Sequence, residues 1–352
     1  MSLHEAMLYE RLQDKKVNCF LCARRCLIND GGAGFCLVRK NERGKLYSLN
    51  YGKACSACVD PIAKKPLFHF HPGASALSIA TMGCNFRCQF CDNWVISQAR
   101  EMESQNLPPA EVVKAARENN CQGISYTYTE PTIFLEYALD TASLARQVGF
   151  FNTFVTNGYM TTEAVKTIAP VLDAATVDFK GAADPEFYKK FSAVPSVEPI
   201  FETLKGLKRN NIHIEITNLI VPKLGDSIAR LKQLAQWIKD GLGANTPMHI
   251  LRFHPDYKMT GIPSTTVQTL EEACIAVRKE VGLNYVYLGN VPGHRFENTY
   301  CPNCNELLIK RFSFEIAKWH LPKDMRCPAC GQNIPITGAL HTTGTGYPYS
   351  VF

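Results

Sequence analysis

The order of strand-like and helix-like segments constrains the fold more than any other feature. From residue 76 onward, short runs rich in β-branched residues alternate with longer segments whose apolar residues recur at helical spacing. This alternation is typical of β–α units around a parallel sheet. We predict strands at residues 76–81, 123–129, 151–156, 175–180, 212–221, 249–254 and 285–289. Six or seven units are fewer than the eight of a closed barrel, so we expect an α/β fold with a partial, laterally open barrel.

Helix signals between the predicted strands support this order. The segment 108–119 opens with two prolines and an early glutamate, which suit the first turn of a helix. The segments 132–148 and 227–243 each carry one apolar stripe at helical spacing. We expect these three segments to form helices that pack on the sheet.

Chemically distinctive residues fall at or just after the carboxyl ends of the predicted strands. They are Cys84, Cys88 and Cys91 after the first strand, Glu130 after the second, Asn157 after the third, Asp178 and Lys180 in the fourth, and His254 in the sixth. The carboxyl ends of barrel strands form the face that carries the active site. We therefore expect these residues to lie around one site.

Three cysteines within "MGCNFRCQFCDNW", residues 82–94, give the site its chemistry. Iron–sulfur clusters are ordinarily held by four thiolates, so Cys84, Cys88 and Cys91 would leave one iron of a [4Fe–4S] cluster open. An open metal position can bind a substrate or cofactor directly, as in catalytic zinc sites. The alternatives are a zinc site completed by a distant histidine and three buried cysteines, and the polar residues of the loop argue against the second.

Cysteine usage and charge narrow the class of protein. The chain has 352 residues, 46% of them apolar, and holds fifteen cysteines. It contains no run of eighteen apolar residues and no recognisable secretory signal, so we expect a cytoplasmic protein in which thiols serve metal or redox roles. The formal charge of +6 is spread along the chain, which gives only weak support for nucleic-acid or membrane-surface binding.

The remaining paired cysteines lie near the two ends of the chain. Cys301, Cys304, Cys327 and Cys330 form two CxxC pairs typical of a zinc ribbon, with an auxiliary iron–sulfur cluster as the alternative. Near the other end, Cys19, Cys22, Cys26 and Cys36 could bind zinc or a second cluster. Cys55 and Cys58 form a single CxxC pair, for which ligation and a purely structural role stay equally open.

The motif Cys-x3-Cys-x2-Cys, with Phe90 before the last cysteine, resembles the signature of the radical S-adenosylmethionine (SAM) family. The resemblance implies a (β/α)6-type barrel in which SAM binds the open iron of the [4Fe–4S] cluster. It also implies reductive cleavage of SAM to methionine and a 5′-deoxyadenosyl radical, which takes a hydrogen atom from the substrate. A reduced electron donor such as ferredoxin or flavodoxin follows from the same resemblance.

Other motifs are similar to those of pyruvate formate-lyase activating enzymes within this family. "YTEP" implies that Glu130, with Thr129, accepts hydrogen bonds from the SAM ammonium group. "TNG" and "DFK" imply that Asn157, Asp178 and Lys180 help to bind SAM and a cation, while "LIVP" and "FHP" place Val221 and His254 beside it, and Phe90 would contact the adenine. Val155 stands where those enzymes have an aspartate, which puts the cation site in doubt.

Each of these residues also has an ordinary structural interpretation. Glu130 could be the first acid of a helix, and Asp178 and Lys180 could form a local ion pair on one face of a strand. His254 before a proline and Asn157 before a glycine could belong to plain turns. Their shared place at the strand ends favours the functional interpretation.

Several longer motifs, among them "DPIAKKPLFHFHPG" and "GNVPGH", make the chain resemble the radical SAM enzymes of the AmmeMemoRadiSam system. We predict three regions: a cysteine-rich N-terminal extension over residues 1–75, a radical SAM barrel over 76–296 and a C-terminal zinc-ribbon-like module over 297–352.

Three functional hypotheses remain open from the sequence. The first is a radical SAM enzyme that acts on a protein or peptide, as activating enzymes do. The second is the same chemistry on a small molecule or nucleic acid. The third is a non-catalytic metal-binding interaction protein, which the combination of an open cluster with SAM-binding motifs disfavours because such a protein needs no SAM pocket.

Overall fold

Seven parallel strands form the centre of the protein. A computed structural model describes residues 4–101, 103–342 and 348–351, so residues 1–3, 343–347 and 352 of the predicted outer regions and Met102 of the predicted barrel lie outside the described residues. The strands follow one another in space as they do along the chain: Ser75–Ala80, Gly123–Tyr126, Phe151–Thr156, Ala174–Lys180, His213–Ile220, Met248–Arg252 and Val286–Gly289. Each is paired in parallel with its neighbours, which confirms the predicted β–α order.

Two antiparallel strands that the sequence analysis did not predict extend the sheet beyond its first strand. Ser56–Pro61 pairs with Ser75–Ala80, and Tyr349–Ser350 pairs with the outer edge of Ser56–Pro61. The last parallel strand, Val286–Gly289, lies at the opposite edge, so the nine-stranded sheet has two ends and does not close on itself. The predicted open barrel is thus confirmed.

Helices connect the parallel strands and cover the sheet. The structure has α-helices at Trp94–Ser97, Pro109–Glu118, Leu135–Gln147, Thr162–Ile168, Pro185–Ser192, Glu198–Arg209, Ile228–Gly241 and Val267–Ile275. The predicted helix 132–148 begins instead with a 3₁₀ turn, Pro131–Phe134. Among the residues that the structure describes, no helix combines the length and apolar character needed to cross a bilayer.

One predicted strand is shorter than expected, and the difference shapes the site. Residues 123–129 carry alternating β-branched and aromatic residues, yet the strand ends at Tyr126. Tyr128 has a φ of 63°, in the left-handed region, so the chain turns sharply before Glu130. This turn directs Glu130 back over the end of the sheet.

The N-terminal region packs on the carboxyl ends of the parallel strands. It contains two small antiparallel sheets, one formed by His4–Glu5, Arg39–Glu42 and Lys45–Ser48 and the other by Tyr9–Arg11, Val17–Cys19 and Cys26–Ile28. The backbone amide of Ala23 donates to the carbonyl of Tyr159 at 3.0 Å, and Thr161 donates its hydroxyl to the carbonyl of Phe20 at 2.8 Å. The N-terminal cysteines therefore lie next to the loops that follow the strands.

The C-terminal region packs at the opposite end of the barrel. Its sheet contains Thr299–Tyr300, Leu307–Phe312 and Glu315–Trp319. Beyond this sheet, the backbone amide of Thr337 donates to the carbonyl of His69. The Thr337 hydroxyl lies 3.1 Å from the ring of His213, the first residue of the strand His213–Ile220. Cys301 and Cys327 share a buried cluster with Tyr285, the residue before the last parallel strand, so the C-terminal cysteines lie near the amino ends of the strands.

Candidate radical site

The loop with Cys84, Cys88 and Cys91 connects the first parallel strand to the short helix Trp94–Ser97. The Cys84 sulfur accepts from the amide of Phe86 at 3.3 Å, and the Cys91 sulfur lies 3.2 Å from the Ser97 hydroxyl. Burial raises the pKa of all three thiols, to about 11 at Cys91. Free thiols here hold their protons at neutral pH, and a bound metal would displace them.

These thiols do not form the close group of sulfurs found around a single metal ion. Sulfurs around a tetrahedral zinc stand about 3.8 Å apart, given a Zn–S distance of about 2.3 Å. Within residues 4–101, 103–342 and 348–351, the three loop thiols do not belong to any group of ligand atoms that all lie within 4.8 Å of one another. A polynuclear cluster, in which each cysteine binds a different iron, does not need its thiols gathered around one ion.

Two arginines hold the loop in place. Arg87 donates to the carbonyls of Cys84 and Phe86 at 2.7 and 2.8 Å and also bonds the carbonyl of Phe35 in the N-terminal region. Arg24 donates to the carbonyl of Asn85 at 2.9 Å. The Cys84 loop is therefore fixed by contacts to a different part of the chain, which keeps the three thiols in a defined arrangement.

Glu130 is buried, with 2% of its surface exposed, at the end of the second strand. One carboxylate oxygen accepts from the Thr156 hydroxyl at 2.7 Å and from the amide of Thr132 at 3.0 Å, while the other accepts from the amide of Asn157 at 2.8 Å. Burial raises the pKa of this carboxyl, and these hydrogen bonds counteract the effect. Glu130 does cap the turn Pro131–Phe134, and its second oxygen, with one donor, can still accept a bond from a ligand.

Asn157 ties the third strand to the cysteine loop. Its side-chain amide donates to the Asn85 side chain at 2.7 Å and lies 4.0 Å from the Cys84 sulfur. Gly158, with a φ of 71°, makes the turn that follows, and a Cβ there would stand 2.9 Å from a methyl of Val177. The turn interpretation and the binding interpretation of this motif are thus compatible.

Asp178 and Lys180 lie on one face of the fourth strand, with the Lys180 ammonium 3.7 Å from the nearer Asp178 carboxylate oxygen. Asp178 also accepts a hydrogen bond from Thr217. Burial alone would lower the pKa of Lys180, but Asp178 and the thiols of the Cys84 loop outweigh it and raise that pKa. The pair is therefore a local ion pair that also places a positive charge beside the three cysteines.

The other predicted SAM-binding residues occupy different environments. Phe90 is 3% exposed and packs on Phe187 at a ring separation of 5.6 Å, and Val221 is fully buried at the end of the fifth strand. Thr129 donates its hydroxyl to the carbonyl of Thr81 at 2.8 Å, whereas His254 is exposed. Their contacts with SAM remain predictions.

Two residues of the site were not singled out as binding residues from the sequence. Ser192 accepts a hydrogen bond from the Cys88 thiol at 3.3 Å, and Asn85 has a buried side-chain nitrogen without a hydrogen-bond partner in the described part of the chain. The position of Asn85 between two cysteines was a signal that could have identified it. Ser192 lies 104 residues from Cys88 and carried no such signal.

The donor set fits an iron–sulfur cluster. Three thiols of one loop lie beside the Lys180 cation, which would compensate the negative charge of a thiolate-bound cluster. The unpartnered Asn85 nitrogen supplies a free donor in the same loop. Cys84, Cys88 and Cys91 could therefore hold the cluster, and Glu130 and Lys180 bring opposite charges to the same end of the sheet.

The C-terminal cysteines have the geometry of a single-ion site. The sulfurs of Cys301, Cys304, Cys327 and Cys330 all lie within 4.8 Å of one another. Each CxxC pair is followed by a residue in the left-handed region, Asn305 with a φ of 61° and Gly331 with a φ of 75°. Hydrogen bonds from Asn303 and the Gln332 backbone lower the pKa of Cys330 to about 6. This tetrad could hold one metal ion such as zinc.

The N-terminal cysteines surround a small enclosed space. Cys19, Cys22, Cys26 and Cys36 all line it. Burial raises the pKa of Cys22 to about 12 and of Cys36 to about 11. In contrast to the C-terminal tetrad, no three of these four sulfurs form a group within 4.8 Å in the described residues.

Comparisons with known proteins agree with this geometry. A family model described as the radical SAM superfamily matches residues 78–238. The chain is 49% identical over 337 residues to an uncharacterized protein of Methanocaldococcus jannaschii, covering 95% of this chain and 99% of the relative. It is 24% identical over 162 residues to a pyruvate formate-lyase-activating enzyme of Clostridium pasteurianum, covering 45% of this chain and 67% of that enzyme.

Among solved structures, the chain is similar to a radical SAM methyltransferase from Sphaerobacter thermophilus. The TM-score is 0.50 at 15% sequence identity, and the match covers 63% of this chain and 68% of the methyltransferase. A likeness at this identity shows the fold alone. The narrower resemblance to the AmmeMemoRadiSam system stays a prediction. The matched residues 78–238 include Cys84, Cys88 and Cys91, so the chain contains a domain of the radical SAM superfamily.

Proposed function

We propose that this protein is an enzyme that cleaves SAM reductively and uses the resulting 5′-deoxyadenosyl radical to abstract hydrogen from a protein or peptide. The observation that carries the proposal is the position of Cys84, Cys88 and Cys91 beside Lys180, at the carboxyl ends of the barrel strands. A [4Fe–4S] cluster with one open iron supplies the electron for this cleavage.

The protein's own residues bind and orient SAM in this proposal. The second carboxylate oxygen of Glu130 accepts a hydrogen bond from the SAM ammonium group, and Thr129 assists in binding that group. Lys180 forms an ion pair with the SAM carboxylate. Asn157 holds the Cys84 loop against the third strand, and Asp178 orients Lys180. Phe90, Val221 and His254 are proposed to contact the nucleoside part.

The activating-enzyme relative supports a protein or peptide as substrate. An exposed apolar surface beside the cysteine loop supports it as well. Trp94 is 40% exposed and stacks on Tyr257 at a ring separation of 5.0 Å, and the neighbouring Val95 is 56% exposed. Exposed aromatic surfaces of this kind suit contact with a polypeptide chain.

The rest of the assignment follows from the cysteine groups. We propose zinc at Cys301, Cys304, Cys327 and Cys330, where all four thiols converge and leave no open position. We retain residues 1–75, 76–296 and 297–352 as the N-terminal extension, barrel and zinc-ribbon-like module. We also propose a cytoplasmic location and a reduced one-electron donor such as ferredoxin or flavodoxin.

The formation of 5′-deoxyadenosine tests the proposal. Anaerobically reconstituted protein with dithionite and SAM should release it, and Cys88→Ala should abolish release. Cys55→Ser is the matched control, because Cys55 is a half-buried cysteine that bonds the Ala80 carbonyl and lies outside the loop. A wild-type protein with intact clusters and no product would favour the non-catalytic hypothesis. Acceleration by candidate peptides, compared with nucleic acids and small molecules, would identify the substrate class.

A further inference from the structure

The four N-terminal cysteines form a second candidate metal site behind the Cys84 loop. Cys19 and Cys26 lie opposite each other in register on neighbouring antiparallel strands, and Cys22 belongs to the connection between those strands. Cys36 comes from the segment before the strand Arg39–Glu42. The two paired strands with their connection and the segment before Arg39 thus bring four thiols to one small space.

A buried arginine at this space bonds the carbonyl of Met7 through Nη2 but leaves its other two guanidinium nitrogens without hydrogen-bond partners in the described part of the chain. Arg39 is 1% exposed and lines the space together with the cysteines. Its Nε has no hydrogen-bond partner in the described residues, and its Nη1 lies 3.1 Å from Glu136 without hydrogen-bond alignment. We regard the Arg39–Glu136 contact as an ion pair that leaves guanidinium donors free. A buried cation with free donors fits an anionic centre formed by thiolates.

The N-terminal thiols are not gathered as closely as the C-terminal tetrad. The same structure brings the four C-terminal sulfurs within 4.8 Å of one another, yet it does not do so for any three N-terminal ones among the described residues. Cys84, Cys88 and Cys91 do not form such a close group either among the described residues. Four thiolates with one iron each are the usual ligand set of a [4Fe–4S] cluster.

The two cysteine groups are separated by a single layer of protein. A Cβ on Gly83, next to Cys84, would stand 2.7 Å from the carbonyl oxygen of Cys36. Ile133 both lines the N-terminal space and would lie 3.2 Å from the same Cβ. Arg87 bonds the carbonyls of Phe35 and Cys84, which directly connects the two loops.

We infer that Cys19, Cys22, Cys26 and Cys36 hold a second iron–sulfur cluster that passes electrons to the Cys84 loop. One electron moves from a reduced protein donor to this cluster and then to the SAM-binding cluster, so the donor is oxidised and the SAM-binding cluster is reduced by the same single electron. The relay role rests on the proposed function, whereas the presence of the cluster does not.

The first experiment isolates the N-terminal site in the full-length chain. The triple variant Cys84→Ala, Cys88→Ala, Cys91→Ala is reconstituted anaerobically with iron, sulfide and zinc. It should retain about four irons per chain, which the same variant with Cys22→Ala added should lose, and give a paramagnetic signal on one-electron reduction. Because this variant leaves the N-terminal region intact, a folded triple variant that holds zinc but no iron would overturn the inference.

The second experiment tests the relay with Cys22→Ala. This variant should lose about four irons relative to the wild type. Formation of 5′-deoxyadenosine should fall at least tenfold with reduced flavodoxin as donor and stay within about threefold with dithionite, which reaches the SAM-binding cluster directly. Cys55→Ser should change neither rate. An unchanged rate with flavodoxin would overturn the relay.

The outcomes separate this inference from the proposed function. A triple variant that holds iron while the wild type makes no 5′-deoxyadenosine would leave the second cluster standing and refute the function. A wild type that makes 5′-deoxyadenosine while the triple variant holds no iron would support the proposed function and refute the second cluster.

Discussion

Replacement of Glu130 by glutamine removes one charge from the site with almost no change in shape. The carboxylate is 2% exposed and accepts from Thr132, Thr156 and Asn157. A glutamine keeps one acceptor oxygen, but its amide group must face a donor at the other position. Because the SAM ammonium would bond the same carboxylate, the variant loses a charge-assisted hydrogen bond, worth about 1.5–3 kcal/mol. This corresponds to about a 10- to 150-fold weaker affinity for SAM.

The effect on stability should be smaller than the effect on binding. Burial raises the pKa of Glu130, so the buried charge itself costs free energy in the folded protein. A neutral glutamine avoids this cost, which offsets part of the lost hydrogen bond to Asn157. We therefore expect the free energy of unfolding to fall by less than about 2 kcal/mol.

Glu297→Gln provides a matched control. Glu297 is also buried, burial likewise raises its pKa, and it accepts from the backbone amides of Gly293 and Ser313. SAM binding to the reconstituted proteins is measured by calorimetry, and thermal denaturation follows stability. Glu130→Gln alone should lose SAM affinity. Equal affinities of Glu130→Gln and wild type, or equal losses in both variants, would refute the role of Glu130.

Three further changes test other parts of the structure. Burial lowers the pKa of His69 to about 3, whereas the pKa in the unfolded chain is about 6.5. The contribution of His69 to the free energy of unfolding is therefore complete above pH 6.5 and falls by about 1.4 kcal/mol for each pH unit below it. His69→Gln should remove this dependence, which corresponds to about one proton, when unfolding in denaturant is measured between pH 4.5 and 6.5. An unchanged slope would contradict this. Gly158→Ala should cost about 2–4 kcal/mol in chemical denaturation, because it combines a left-handed φ with overpacking, whereas Gly149→Ala, with open space around its Cβ, should cost about 1 kcal/mol. Equal costs would refute the packing argument. Cys327→Ala should release the C-terminal metal in elemental analysis and lower the thermal midpoint, and retention of that metal would contradict the tetrad.

The parallel sheet could be predicted from sequence because each strand is a short β-branched run and each connection carries a helical period. The edge strands could not. Ser56–Pro61 includes Cys58 of a CxxC pair, and its place in the sheet depends on pairing with Ser75–Ala80 and with a two-residue strand, Tyr349–Ser350, that carries no pattern of its own. Such pairings depend on tertiary contacts rather than local preference.

The part of the site formed by residues that follow neighbouring parallel strands could be predicted from the sequence, because those strand ends lie side by side. Glu130 and Asn157 follow neighbouring strands, so their contact follows from the parallel order. The bond between Cys88 and Ser192 and the pairing of Arg39 with Glu136 connect residues distant in sequence through loops and the N-terminal region. Sequence periodicity does not reveal contacts between residues so far apart in the chain. The position of the N-terminal cysteines behind the Cys84 loop could therefore be seen only in the structure.

The most direct test of the central claim is electron–nuclear double resonance on the reduced protein with SAM labelled at its amino nitrogen and carboxylate. The account predicts coupling of both labelled groups to one iron of a [4Fe–4S] cluster, and loss of this signal in the triple variant of Cys84, Cys88 and Cys91. A cluster with all four irons bound by protein, or zinc bound to these three thiols, would contradict it.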